Sequence, residues 1–245
     1  MSIFDFALPK TDKENILNEY KKNNIKNVVL FYEISKRNDL KIFKNIEEFK
    51  GLNIYLGALI DNDNPKKTIE LAAELFYNKK LYNDLVVIKS KDFEYNRKVL
   101  EKYFHNGILN PGDYHEEDTL MFRYTSLSVA SIKKLKKNNQ AVFIGLVDIL
   151  KNYKVLGRIL YLVKILEKKD IPIIVGSFAK SPEEVPGKYE LLSFKKILEI
   201  KYSNKLVFEA FILEQINRVR KAKNPMVITK GFEIVKTPYE DCREY

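Results

Sequence analysis

Short apolar runs recur along this chain, each followed by a stretch of helical periodicity, and that alternation limits the folds open to it. The runs are Asn27 to Tyr32 (NVVLFY), Leu52 to Ile60 (LNIYLGALI), Leu85 to Ile88 (LVVI), Ala141 to Val147 (AVFIGLV) and Ile171 to Val175 (IPIIV). Shorter ones stand at Ile3 to Leu8 and at Ile108 and Leu109. Between them the spacing predicts helices over Asp12 to Asn23, from Pro65, over Asp92 to Phe104, Ser126 to Lys137, Lys154 to Lys168, Tyr189 to Ile200 and Asn204 to Arg220. A last strand is expected at Phe232 to Val235. Strands that read apolar throughout are buried on both faces, as a parallel sheet covered by helices requires. Seven or eight such units over this length predict a closed, somewhat distorted α/β barrel. No Pro-, Gly- or Ser-rich linker divides the chain. We read one domain over 1–236, with 237–245 as a charged tail.

Composition decides what such a barrel would meet. Forty-five per cent of the 245 residues are apolar, enough for a sizeable core. No run of eighteen uncharged apolar residues predicts a membrane span, and no basic stretch followed by an apolar core opens the chain as a secretion signal does. The single cysteine, Cys242, excludes an internal disulfide framework, so a soluble, cytoplasmic protein is expected. Forty-three Lys and Arg against 33 Asp and Glu give a net charge of +10. An excess of that size suits a polyanion, because neutralising phosphates releases condensed counterions. Lys far outnumbers Arg, and a lysine-rich composition alone explains part of the excess.

Motifs for ordinary catalysis are missing. Metal-dependent hydrolytic sites draw on His, Asp and Glu at strand ends, and this sequence has two histidines, His105 and His115. His115 with Glu116, Glu117 and Asp118 is the one acidic loop with a metal-like composition, and such a loop after Pro111-Gly112 is more often a solvated turn. There is no GxGxxG, Walker A or GxSxG motif. Ser177 follows a strand, where a hydroxyl commonly caps the turn, and a nucleophile would need a base beside it. Asp5 and Asp148 end predicted strands and could face one another across a barrel mouth.

The cations fall into groups: Lys89, Lys91, Arg97 and Lys98; Arg123 with Tyr124, ahead of Lys133, Lys134, Lys136 and Lys137; Lys151, Lys154 and Arg158; and Arg218, Arg220, Lys221 and Lys223. Surface lysines are usually no more than solvated faces. Arginine is scarce here and its planar fork suits phosphate. Arg97, Arg123 and Arg158 each lie near a predicted strand end, so one rim of a barrel could collect them. Tyr124 is the candidate base-stacking aromatic. Arg218 and Arg220 also suit the carboxyl end of a helix.

At these residues the sequence resembles the p30-type subunit of archaeal and eukaryotic ribonuclease P, protein component 3 in archaea. The resemblance runs from Ile3-Phe4-Asp5-Phe6 through Glu94-Tyr95-Asn96-Arg97-Lys98 and Ile108-Leu109-Asn110-Pro111. It continues in Phe122-Arg123-Tyr124-Thr125-Ser126-Leu127-Ser128, against the family's R-x-S-G-L-N, then Asp148-Ile149-Leu150, Arg158 and Val175-Gly176-Ser177-Phe178-Ala179-Lys180-Ser181. The family's glycine in the R-x-S-G-L-N stretch is absent. His105 to Gly107 replaces an acidic strand start, and Val185 to Leu191 lacks an arginine. With these departures the chain looks like a divergent archaeal member of that family.

The resemblance implies a TIM-barrel-like fold, related to metal phosphoesterases but without their histidine cluster. It implies a non-catalytic, RNA-binding subunit that supports the ribonuclease P RNA in removing 5′ leaders from precursor tRNA. The RNA with Mg²⁺ would perform the hydrolysis, and the protein would bind no cofactor. Implied partners are that RNA, precursor tRNA indirectly, a small ferredoxin-like subunit in a dimer of heterodimers, and other ribonuclease P proteins. Arg97, Lys98, Arg123, Tyr124, Arg158 and Lys180 are carried over as RNA-contacting. The rival from another class is a metal-dependent phosphoesterase on the same barrel.

Overall fold

The computed structural model describes residues 4–10, 12–45, 48–112, 125–198, 200, 205–224, 227–229 and 232–233. Seven parallel strands stand in chain order round one sheet: β1 (Phe4–Ala7), β2 (Asn27–Ile34), β3 (Asn53–Ile60), β4 (Leu85–Lys89), β5 (Gly107–Leu109), β6 (Ala141–Gly145) and β7 (Ile173–Gly176). Past the end of β7 the sheet returns to its start. Ala7 pairs with Ala179, Leu8 N–H donates to Ala179 O at 2.8 Å, and Ala179 N–H donates to Phe6 O at 3.3 Å. The expected TIM-barrel-like architecture is therefore present, with seven strands.

The helices between strands are α1 (Lys13–Lys22), α2 (Pro65–Tyr77), α3 (Phe93–Val99), α4 (Val129–Lys137), α5 (Leu146–Lys151), α6 (Tyr153–Lys168) and α7 (Lys188–Ile197). A 3-10 turn, Arg37–Lys44, follows β2. Their starts are written locally. Asn64 accepts from Lys66 N–H and Lys67 N–H ahead of Pro65, Asp92 accepts from Tyr95 N–H, and Ser128 accepts from Ser131 N–H. After α7, α8 (Lys205–Lys223) is followed by a small antiparallel pair, β8 (Val227–Thr229) and β9 (Phe232–Glu233), where a strand to Val235 was expected. The proposed tail, 237–245, lies outside the described residues.

Two expected elements differ, each for a physical reason. Helix α3 stops at Val99 rather than Phe104 because other side chains take its last carbonyls. Asn138 Nδ2 donates to Leu100 O at 2.9 Å, and Gln140 Nε2 donates to Lys102 O at 2.8 Å. The run Ala141 to Val147 leaves the sheet at Gly145, whose N–H donates to Asn110 Oδ1 at 2.7 Å; Leu146 then opens a helix. Apolar composition alone does not separate a strand from a buried helical turn.

Strand residues alternate between two cores. Outward ones such as Val28, Leu30, Val86, Ile88 and Val142 pack under the helices. Inward ones, with the chain just past β7, fill the lumen with Phe6, Phe31, Phe143 and Phe178. Phe178 sits 5.3 Å from Phe31 in a stacked pair and 5.2 Å from Phe6. These rings fit because their neighbours lack side chains. A Cβ on Gly176 would lie 2.0 Å from Phe6 Cδ2, and one on Gly57 2.6 Å from Phe31. Gly176→Ala is therefore an overpacking change. It is expected to destabilise by about 2 kcal/mol or more, read as a lower urea midpoint at unchanged slope.

Candidate nucleic-acid interface

The carboxyl ends of the strands carry most of the segments singled out in the sequence, and the structure ties them to one another. Asp5 is buried beneath α1, away from the lumen. Its Oδ1 accepts from Ser177 N–H at 2.6 Å, and its Oδ2 accepts from Ser177 Oγ at 2.6 Å and from Tyr20 OH at 3.0 Å. Burial pushes the Asp5 carboxyl up against the pull of these hydrogen bonds. Ser177 thus cross-links the β1–β7 seam rather than capping a turn in isolation. Asp148, expected at a strand end, lies in the first turn of α5, accepting from Asn110 Nδ2 at 3.0 Å and pairing with Lys180 at 2.7 Å. Asp5 and Asp148 do not face one another.

Asn96 performs the same joining role one unit earlier. Its Oδ1 accepts from Lys91 N–H, and its Nδ2 lies 2.9 Å from Ser90 Oγ, Lys91 O and Ser126 O. This links the start of α3 to the segment that enters α4. Ser126 stands at φ 52° and Phe178 at φ 53°, left-handed backbone unusual for either residue type. Aligned on its arginine and leucine, the R-x-S-G-L-N stretch puts its glycine at Ser126, the position that needs this conformation.

Most rim cations are already partnered. Lys89 and Lys91 reach Asp61 at 2.6 and 2.9 Å, and Lys91 reaches Asp63 at 2.5 Å. Burial alone would raise the Asp61 carboxyl, yet the two ammonium groups hold it below the usual carboxylate range. Lys151 pairs with Glu184 at 2.8 Å, and Glu184 also accepts from Lys180 N–H. Lys180 is thus part of a neutralised cluster. Arg158 corrects the expectation of a surface phosphate contact: it is only 7% exposed and donates to Gly112 O at 3.0 Å. It braces the loop after β5. Arg218 and Arg220 serve elsewhere, tying α8 to the loops under the barrel through Asn138 O at 3.2 Å and Asp84 at 2.7 Å. Arg123 and Tyr124, with His115 and its acidic neighbours, lie outside the described residues.

Solvent-facing charge gathers instead on adjacent helices α3 and α4. Over 93–102 and 129–138 there are seven Lys and Arg against two Glu, +5 of the chain's +10. Arg97, Lys98, Lys102, Lys133, Lys136 and Lys137 are exposed. Lys98 lies 3.8 Å from Glu94 and Lys136 3.2 Å from Asp170. Arg97, Lys133 and Lys137 have no carboxylate within ion-pair distance among the described residues. Asn96 joins the two helices at one end and Asn138 at the other, so the face is held rigidly. Sequence reading found Arg97, Lys98 and the α4 lysines. It missed Lys102, although Lys98 and Lys102 have the four-residue spacing that places side chains on one helical face.

Beneath this face, His105 is buried, with Nδ1 3.2 Å from Gly107 O and Nε2 3.1 Å from Val99 O and 3.0 Å from Gln140 Nε2. It is a structural histidine. Among the described residues no group of three His, Cys, Asp or Glu has a metal-binding arrangement.

No protein-family model matches the sequence, and no curated protein matches it. Solved structures match the fold. A chain in the cryo-EM structure of archaeal ribonuclease P with mature tRNA superposes with a TM-score of 0.74 at 16% identity, covering 96% of this chain and 99% of that one. Histidinol phosphate phosphatase from Lactococcus lactis subsp. lactis, complexed with zinc, L-histidinol and phosphate, gives 0.51 at 10% identity over 80% and 91%. Arabidopsis ADAL complexed with GMP gives 0.50 at 9% identity over 84% and 74%.

Burial lowers the His105 pKa from 6.5 to about 4. The unfolded chain therefore binds a proton that the folded one refuses between these values. Stability from this group is complete above pH 6.5 and is lost as pH falls toward 4, by about 2–3 kcal/mol at pH 4.5. Urea unfolding from pH 7 to 4.5 should show a shallower decline for His105→Gln than for the parent. Parallel curves would assign the acid sensitivity to other groups.

Proposed function

We propose that this chain is a protein subunit of ribonuclease P that grips RNA through the α3–α4 face and leaves hydrolysis to the RNA and its Mg²⁺. The observation that carries RNA binding is the concentration of half the net charge on that one rigid, solvent-facing surface. Unpaired cations exchange counterions for phosphates with little local rearrangement. The ribonuclease P assignment draws support from the near-complete mutual coverage with the archaeal chain solved alongside mature tRNA. It also draws on the motif segments, which meet one another through Asp5, Asn96, Asn110, Asp148 and Ser177.

In this reading Arg97 and Lys98 contact the sugar-phosphate backbone. Arg123 and Tyr124 are proposed alongside them on the resemblance alone. Arg158 and Lys180 act indirectly, by fixing the loops of the rim. A small ferredoxin-like subunit, other ribonuclease P proteins and precursor tRNA complete the particle, in the cytoplasm.

The phosphoesterase reading is favoured by the likeness to a zinc-bound phosphatase and opposed by the lumen. Phe6, Phe31, Leu59, Val87, Leu109 and Phe143, with Phe178 following β7, fill the lumen, and of the polar residues beyond them Asp61 and Lys89 are paired with one another at 2.6 Å. The lumen side chains offer no metal ligand, and among the described residues no three His, Cys, Asp or Glu are grouped to hold a metal ion. Purified protein assayed with Mn²⁺ or Zn²⁺ should release no phosphate from monoesters.

Cleavage of precursor tRNA by cognate RNA at low Mg²⁺, with and without this chain, tests the proposal directly: addition should stimulate cleavage, and no stimulation sinks it. Arg97→Ala with Lys133→Ala and Lys137→Ala should weaken RNA binding and flatten its salt dependence, each lost phosphate contact removing about 0.7–0.9 from the slope of log K against log salt. An unchanged slope would exclude these three as phosphate contacts.

A further inference from the structure

The lower end of the α3–α4 face runs into a cluster of aromatic rings that the barrel's own packing does not cover. Tyr77 ends α2, and Tyr103 and Phe104 follow α3. The Tyr77 and Tyr103 hydroxyls are 2.6 Å apart. Ring centroids lie 5.9 Å apart for Tyr77 and Phe104, 5.0 Å for Tyr103 and Phe104, and 5.1 Å for Phe76 and Tyr77. Arg218 locks the set from below. Its guanidinium lies 5.4 Å from the Phe76 ring centre and donates to Tyr103 O, as well as to Asn138 O at 3.2 Å. The two tyrosine rings are fixed by neighbours on one side, yet Tyr77 remains 43% and Tyr103 50% exposed.

Their surroundings select the occupant. Lys79 and Lys80 follow Tyr77 at the surface, and Lys102 precedes Tyr103, against Glu101 as the one carboxylate in these two segments. Asn138, which caps α4, donates to Leu100 O at 2.9 Å and Lys102 O at 3.4 Å, so the rings adjoin the end of α4 that carries Lys136 and Lys137. Immobilised, half-exposed rings beside a cationic track are what single-stranded nucleic acid uses, because every base has a π-face and the backbone follows the charge. Duplex bases are already stacked and do not reach such rings. We propose that Tyr77 and Tyr103 form a stacking platform for unpaired nucleotides of an RNA whose phosphates run along α3 and α4. This rests on the reading that the chain binds RNA and adds where, and in what form, that RNA departs from a helix.

The test uses the full chain with a fluorescent short oligouridine and a short duplex RNA. Loss of one stacked base is worth about 1–3 kcal/mol, about 5- to 150-fold in affinity, and a half-exposed ring belongs near the lower end. Tyr103→Leu should weaken oligouridine binding about tenfold at unchanged salt slope and leave the duplex within about twofold, while Tyr103→Phe, which keeps the ring, should bind oligouridine nearly as the parent does. Equal single-strand affinity in Tyr103→Leu and the parent overturns the platform, as does an equal loss for both RNAs. So does intact RNA binding with failure to assemble with a protein subunit, which would make the patch a protein-docking surface. A parent chain that binds neither RNA sinks the underlying RNA-binding reading instead. Should Tyr103→Leu fail to fold, photocrosslinking the parent to 4-thiouridine-substituted oligonucleotide decides: adducts on Tyr77 or Tyr103 support the platform, and adducts confined to other residues overturn it.

Discussion

A seven-stranded parallel barrel depends on closing its last strand onto its first, and here that seam is short. Two backbone hydrogen bonds join the chain beyond β7 to β1, at Leu8 and Ala179. Asp5 reinforces them by taking both the Ser177 N–H and the Ser177 hydroxyl, while Tyr20 brings α1 against the same carboxylate. Hydrogen bonds to a charged group are worth about 1.5–3 kcal/mol each, and leaving their buried donors unpaired costs a similar amount. The carboxylate is held in place of a longer ladder. Gly176, just before Ser177, is required because Phe6 occupies the space its side chain would take. Closure and lumen packing are thus settled by three successive positions, Gly176, Ser177 and Phe178.

That packing bears directly on function. Barrels of this class place chemistry at the carboxyl ends of their strands, and at that end the present lumen is a stack of phenylalanine rings. Phe178 accepts left-handed backbone to join the stack. Such a conformation costs of order 1–3 kcal/mol and persists only where its surroundings over-determine it. Here the aromatic contacts do so. The polar residues of the rim bond chiefly to one another, as in Lys89 and Lys91 with Asp61, Lys151 with Glu184 and Lys180 with Asp148, which ties the rim together.

Much of this was legible in the sequence. The strand cores, such as Val28 to Phe31, Val86 to Ile88 and Val142 to Ile144, are fully buried, and runs of that composition have few other uses. Helix starts at Asn64, Asp92 and Ser128 were equally local. What sequence reading missed depends on distant partners. The early end of α3 comes from Asn138 and Gln140, nearly forty residues away. The burial of Arg158 depends on a carbonyl at Gly112. An arginine near a strand end reads identically whether it faces solvent or a loop.

The same distinction separates useful from spent charge. Lys89, Lys91, Lys151 and Lys180 lie at the barrel's carboxyl end, where a phosphate contact was expected, but each has a carboxylate within 3 Å. A phosphate arriving there must displace that carboxylate or accept its repulsion, so little counterion release is gained. Lys133 and Lys137 of α4 and Arg97 of α3 carry no such debt among the described residues. They come together through two asparagines, Asn96 and Asn138, whose amides hold the ends of the two helices by backbone contacts alone. Because those contacts involve no charged group, they consume none of the cations of the face. That is how a modest overall excess becomes a local field able to orient a polyanion.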